Sequence, residues 1–260
     1  MTEKALLVVS FGTSYAETRE RTIGAIEQKL AERFPDRIVR RAWTSNFIIK
    51  KVAKTEGLTV DTPEEAFEKL AEEGVRDVIV QPTHLSDGYE NQRMMKIVRE
   101  YMNRFERIAV GRPLLFTAED RDAVAHLMPQ MCMGDSEEDR ALLLMGHGSE
   151  KHPVPVYEEL QESFAKAGVS NVFVGTVEGT PSFEDAKALL ERSGYRKVVL
   201  APLMIVAGDH AINDLAGEED SWRSILNGEG YQTEVILKGL GEYAQIQDLF
   251  AEHAAQAETI

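Results

Sequence analysis

The sequence predicts an α/β protein of two similar domains. Each is expected to be a parallel sheet flanked by helices, with a functional site in the cleft between the two. Three observations carry this. Short apolar runs recur along the 260 residues, as at Ala5–Val9, Val78–Val80, Ala141–Met145 and Val198–Ala201. Such runs mark strands covered on both faces. Segments of helical periodicity separate them, which is the pattern of βαβ units. The two halves also resemble each other. Ala5-Leu6-Leu7-Val8-Val9-Ser10-Phe11-Gly12 parallels Ala141-Leu142-Leu143-Leu144-Met145-Gly146-His147-Gly148. Gly74 to Pro82 parallels Gly194 to Pro202, and each proline lies six positions before a glycine, Gly88 and Gly208.

Taken in order, the strand Ala5–Val9 leads through the small-residue loop Ser10-Phe11-Gly12-Thr13-Ser14 into a helix from Ala16 to Phe34. There Ile23, Ile26 and Leu30 share one face. A strand follows at Arg37–Trp43, then a helical piece carrying Lys50, Lys51 and Lys54. Asp61-Thr62-Pro63-Glu64-Glu65 reads as a capped helix start, with an early proline and acidic first-turn residues. A buried strand at Val78–Val80, a helix to about Phe105, a strand at Arg107–Gly111 and a helix from Asp120 to Met131 complete the first half. The polar segment Gly134 to Asp139 is the expected boundary, giving domains 1–134 and 135–260. The second half repeats the pattern, with strands at Leu142–Met145, Asn171–Thr176, Val198–Ala201 and Glu234–Leu237. Its helices are expected at Pro155–Ala167, Ser182–Ser193, around Trp222 and from Glu242.

The net charge of −15 opposes binding to phosphate backbones and to anionic membrane surfaces, yet still allows a local basic cleft for a small anion. No apolar run approaches the roughly 18 residues of a membrane span, and the first residues do not read as a secretory signal. A cytoplasmic protein is expected. Cys132 is the only cysteine, so no internal disulfide is possible, and it reads as a packing residue.

The repeat sharpens the candidate site. His147 follows its strand where Phe11 follows the matching one. Glu178 stands where Ser45 does. His210 lies two past Gly208, as Glu90 lies two past Gly88. His147, Glu178 and His210 therefore sit beyond three successive strand ends, which share one edge in a parallel sheet. Two imidazoles and a carboxylate there suit a divalent transition metal. His84 belongs to the matching edge of the first half, either as a substrate or supporting residue or as a satisfied loop histidine. His126, His152 and His253 read as structural or surface residues. The loop at Ser10–Ser14 could offer backbone N–H groups to an anion, but lacks the G-x-G-x-x-G and P-loop patterns. Gly146-His147-Gly148-Ser149 is not a nucleophile elbow.

Several stretches carry a family resemblance: Lys4 to Tyr15, Met145-Gly146-His147-Gly148, Pro202 to Asp214, Asp220-Ser221-Trp222 and Gly239 to Glu242. On these, the chain resembles the sirohydrochlorin cobaltochelatases of the CbiK type, in the class II chelatase family of the ferrochelatase superfamily. The resemblance implies a lyase of cobalamin biosynthesis that inserts Co²⁺ into sirohydrochlorin in an interdomain cleft, with precorrin-2 left open as the alternative substrate. It implies His147, Glu178 and His210 as metal ligands; the chemistry of imidazole and carboxylate suggests that His147 accepts the pyrrole protons and Glu178 takes them onward. Gly88-Tyr89-Glu90-Asn91-Gln92 departs from members with a second glutamate, since Gln92 stands there. Ser10, Phe11, Thr13, Ser14, Ser45, His84 and Glu90 are the expected substrate-binding residues. No permanently bound cofactor is expected; Co²⁺ is a substrate, and Fe²⁺, Ni²⁺ or Zn²⁺ could occupy the same donors. The expected partners are the tetrapyrrole and the metal ion, without nucleic acid or membrane, and a homo-oligomer is left open. The alternatives are a non-catalytic tetrapyrrole or metal carrier on the same fold, and a chelatase using Fe²⁺ or Ni²⁺.

Overall fold

A computed structural model of the chain describes residues 4–134 and 139–260. It divides into two compact units. The first opens with β1 (Lys4–Ser10), whose residues 5–10 are all buried, as a strand covered on both faces must be. Then come α1 (Ala16–Arg19), a π-helical turn at Glu20–Gly24 and α2 (Ala25–Arg33). The single helix expected from Ala16 to Phe34 is thus interrupted by one widened turn. β2 (Ile38–Trp43), α3 (Asn46–Glu56) and α4 (Pro63–Glu72) follow. The start of α4 is the expected one: Thr62 and Glu65 form a reciprocal capping box, with Pro63 in the first turn. β3 (Asp77–Pro82), α5 (Tyr89–Tyr101) and β4 (Arg107–Val110) complete this part.

The second unit begins with α6 (Ala118–Met133), followed by β5 (Arg140–Gly148), α7 (Val156–Lys166) and β6 (Val172–Glu178). It continues through α8 (Phe183–Ser193), β7 (Lys197–Pro202), α9 (Trp222–Gly228) and β8 (Gln232–Val235). The chain then returns to the first unit with α10 (Ala244–Ala255) and β9 (Glu258–Thr259).

Among the described residues the first sheet runs β2-β1-β3-β4-β9 and the second β6-β5-β7-β8. Replacing β1 to β4 by β5 to β8 turns one order into the other, so the likeness of the two halves extends to topology. All pairings are parallel except β4 with β9. The strand carboxyl ends therefore share one edge within each sheet, the edge where open α/β sheets hold ligands.

The domain division differs from the expectation of 1–134 and 135–260. The units are Met1–Leu114 with Ala244–Ile260, and Leu115–Tyr243. The polar segment taken as the boundary falls largely on residues 135–138, outside the described residues. α6 packs on α7, β5 and β7, so its apolar face belongs to the second core. α10 lays Ile246, Phe250 and Ala254 in the first core, against α2 and β3. Local polarity marked a connection but could not show which sheet each flanking helix covers. β8 likewise lies at Gln232–Val235 rather than at Glu234–Leu237.

Candidate metal centre

The second unit brings His147 and His210 together. β5 carries His147 to its carboxyl end, one residue before Gly148. His210 precedes the π-helical turn Ala211–Leu215, in the segment after β7. The two rings meet edge to face, with centroids 4.7 Å apart. Each has its Nδ1 committed. In His147 it lies 2.9 Å from the Gly148 carbonyl oxygen. In His210 it lies 2.6 Å from Asp214 Oδ2. Carbonyl and carboxylate can only accept, so each Nδ1 carries the hydrogen, and in the neutral ring each Nε2 presents a lone pair. A carboxylate behind an imidazole is how proteins set the tautomer and orientation of a metal-binding histidine.

The approach of the His147 strand end is tight. Gly148 has φ +73°, and a Cβ there would collide with the Glu178 carbonyl oxygen. Gly146 is packed beneath the ring of Tyr157. The Tyr157 hydroxyl accepts the Gly148 amide N–H at 3.2 Å. Burial pushes the Tyr157 phenol up, opposed in part by the amide hydrogen bonds from Gly148 and His147. Tyr157 thus holds the strand end that carries His147.

Glu178 ends β6, paired in register with Gly148, and is exposed. Its backbone is locked: Gly148 presses on its carbonyl, which also accepts from Thr176 Oγ1 at 3.2 Å. Among the described residues, no three His, Cys, Asp or Glu side chains converge into a metal-holding group. The structure brings the two expected histidines together and leaves the Glu178 side chain at the next strand end.

The first-unit residues lie along the matching edge of their own sheet. Ser10 is buried, and its hydroxyl accepts from Thr83 Oγ1 at 2.8 Å. Thr13 is buried and accepts from the Tyr15 amide, while Ser45 caps α3 through the Ile48 amide. These three hydroxyls, expected to meet substrate carboxylates, already have local work as loop braces and caps. Ser14 is half-buried and Phe11 is half-exposed.

His84 is 8% exposed, and its Nδ1 lies 3.5 Å from Asn91 Oδ1. Asn91 in turn donates its Nδ2 to Asp87 at 2.7 Å. Burial lowers the His84 pKa, opposed by the Asn91 contact and the charge of Glu90. His84 Nε2 and Glu90 Oε2 are both buried and without a hydrogen-bond partner among the described residues. His84 thus has a partner at Nδ1 but none at Nε2 among the described residues. His126 and His152 are exposed and His253 is buried. Buried Cys132 has its thiol pushed up to about 11 by burial. Sequence reasoning missed two contributors. Asp214 had a readable signal, lying four residues after His210 at a helical start. Tyr157 had none, since only the fold brings it under Gly146.

A profile of the cobalt chelatase (CbiK) family matches residues 4–259. The chain belongs to the cobalt chelatase (CbiK) family. Within it, the chain is similar to a sirohydrochlorin cobaltochelatase of Salmonella typhimurium, 39% identical over 98% of this chain and 96% of the relative. It is also 30% identical to sirohydrochlorin cobaltochelatase CbiKC of Nitratidesulfovibrio vulgaris, over 99% and 91% of the two chains. Its fold resembles that of SirB from Bacillus subtilis, solved with Fe³⁺, with a TM-score of 0.67 at 16% identity over 97% and 94% of the two chains. Among the described residues no helix is long and apolar enough to cross a membrane.

Proposed function

We propose that the chain is a sirohydrochlorin cobaltochelatase, exchanging the two pyrrole N–H protons of sirohydrochlorin for one Co²⁺ and releasing two protons. The observation that carries this is the His147–His210 pair, with rings 4.7 Å apart and both Nδ1 atoms committed. With both imidazoles neutral, their two Nε2 lone pairs can hold a divalent ion by two nitrogens. The remaining coordination positions stay available to water and then to the pyrrole nitrogens, so the ion can leave. A closed four-ligand cage would keep it.

Proton removal needs an acceptor beside the macrocycle. A neutral imidazole serves as one, because histidine changes charge near neutral pH. His147 takes that role as its hold on the metal is exchanged for pyrrole nitrogens. Glu178, on the neighbouring strand end, reaches the metal by a change of side-chain rotamer, offsets part of its charge and passes protons outward. In the first unit, His84 Nε2 and Glu90 Oε2 are buried acceptors lacking donors, which suits a ligand that brings N–H groups. Co²⁺ is a substrate here, and no permanently bound cofactor takes part.

The test follows the absorbance spectrum of metal-free sirohydrochlorin mixed with Co²⁺ and catalytic amounts of protein. Many equivalents of metallated product per protein are expected from the wild type, and little from His147→Ala or His210→Ala. Product stopping at one equivalent makes the chain a carrier. Wild-type rates in both variants overturn the roles of the histidines. Competing Fe²⁺ and Ni²⁺ in the same assay reports the metal preference.

A further inference from the structure

Four aromatic side chains are about half exposed or more among the described residues: Phe11, Phe47, Tyr89 and Phe116. Leaving such rings in water forgoes the free energy of burying them. Three of the four follow three adjacent strands. Phe11 follows β1, Phe47 opens α3 after β2, and Tyr89 opens α5 after β3. The strand order β2-β1-β3 puts all three on one sheet edge. The backbone ties them closely. The Ser45 amide, two residues before Phe47, donates to the Phe11 carbonyl at 3.3 Å. Arg93, four residues after Tyr89 and so on the same helix face, donates to the Thr44 carbonyl at 3.0 Å.

Charge complements the rings. Lys50, Lys51 and Lys54 lie three, four and seven positions after Phe47, on the outer face of α3, and all are exposed. Val52 of the same helix is buried, and Ile48 and Ile49 pack inward. Lys4, Lys29, Lys69, Lys187 and Lys197 each pair with a carboxylate. Among the described residues Lys50, Lys51 and Lys54 have no such partner. In a chain of net charge −15, three adjacent unpaired lysines beside an exposed ring make a local basic stripe.

We infer that Phe11, Phe47 and Tyr89 form an aromatic platform for the flat face of the macrocycle, and that Lys50, Lys51 and Lys54 bind its peripheral carboxylates. The inference rests on the proposed chelatase activity and names the surface that recognises its substrate. A planar, apolar, polyanionic ligand is the occupant that rings and lysines together fit. An uncharged hydrophobic ligand would leave the lysines without purpose, and a simple anion would leave the rings exposed.

The test measures the dissociation constant of metal-free sirohydrochlorin by fluorescence quenching, in the wild type, in Phe47→Ala and in a Lys50→Gln, Lys51→Gln, Lys54→Gln variant. All four substituted side chains are exposed, and circular dichroism checks that each variant is folded. Phe47→Ala is expected to weaken binding about tenfold, the scale of losing one stacked ring. The triple variant is expected to weaken it about tenfold at low ionic strength, with the difference shrinking in 1 M salt as screening removes the charge contribution. Co²⁺ binding in the absence of macrocycle should match the wild type in both. An unchanged dissociation constant in either variant overturns the platform, while wild-type metallation would leave the chelatase reading standing. A wild type that neither binds nor metallates the macrocycle removes both.

Discussion

At the residue scale, the site depends on groups that touch no metal. The Asp214 carboxylate, 2.6 Å from His210 Nδ1, fixes which nitrogen of that ring is free. Asp214→Asn keeps the size and removes the charge. Co²⁺ affinity, measured by calorimetric titration, should fall about 10- to 100-fold, the usual consequence of losing such a partner; an unchanged affinity would show that Asp214 does not orient the ring. Tyr157→Phe keeps the ring under Gly146 and removes the acceptor for the Gly148 amide. An amide left unsatisfied beside a buried ring costs about 1–3 kcal/mol. Denaturant unfolding should show that loss together with a reduced kcat, while a loss of stability alone would confine Tyr157 to packing. Both effects grow from local contacts, but only Asp214 was readable in advance. His210 and Asp214 are four apart in sequence, whereas Tyr157 meets Gly148 across a loop whose path no periodicity records.

At the element scale, the strands were legible because buried parallel strands are continuous apolar runs, and β1, β3, β5 and β7 stand out on that ground. Helix starts were legible where capping chemistry is explicit, as at Thr62 and Ser182. The π-helical turn at Glu20–Gly24 was not, since its residues fit a regular helix equally well. Nor was the two-residue β9, which pairs only because α10 delivers it to β4. The opposite edge of the first sheet is held by a clasp of charges. Asp77, at the start of β3, takes two hydrogen bonds from Arg37 and one from Arg107. Burial alone would raise the Asp77 pKa, but the two guanidiniums outweigh it and hold the carboxyl below the usual 3.8. A carboxylate lowered in the folded state stabilises above its unfolded pKa, and that contribution is lost as pH falls through the lowered value. Asp77→Asn, which leaves Arg37 without its counter-charge, should therefore cost about 1–3 kcal/mol at neutral pH. In urea unfolding, the gap from the wild type should close as pH drops below 3.8; a constant gap would assign the loss to packing rather than charge.

At the scale of the whole molecule, the second unit is inserted into the first. Segment 244–260 completes a core that begins with β1, placing Ile246, Phe250, Ala251 and Ala254 where they are almost fully buried. Removing residues 244–260 should lower the stability of the first unit by at least about 3 kcal/mol, the scale of emptying one large side chain from a core. Hydrogen exchange should then show lost protection in β3 and β4 while β5 to β7 keep theirs. Equal protection throughout would mean that the first unit does not need the returning helix. The same arrangement sets an order of events on the ribosome. Leu114 emerges about 130 residues before Ala244, which at roughly 5–20 residues per second is a delay on the order of ten seconds. For that interval the sheet that carries Phe11, Phe47 and Tyr89 waits with its α10 face open, while the unit bearing both histidines is already fully synthesised before its companion can close. On the proposed roles of these residues, the nascent chain would acquire its candidate metal ligands before it acquires a finished surface for the macrocycle.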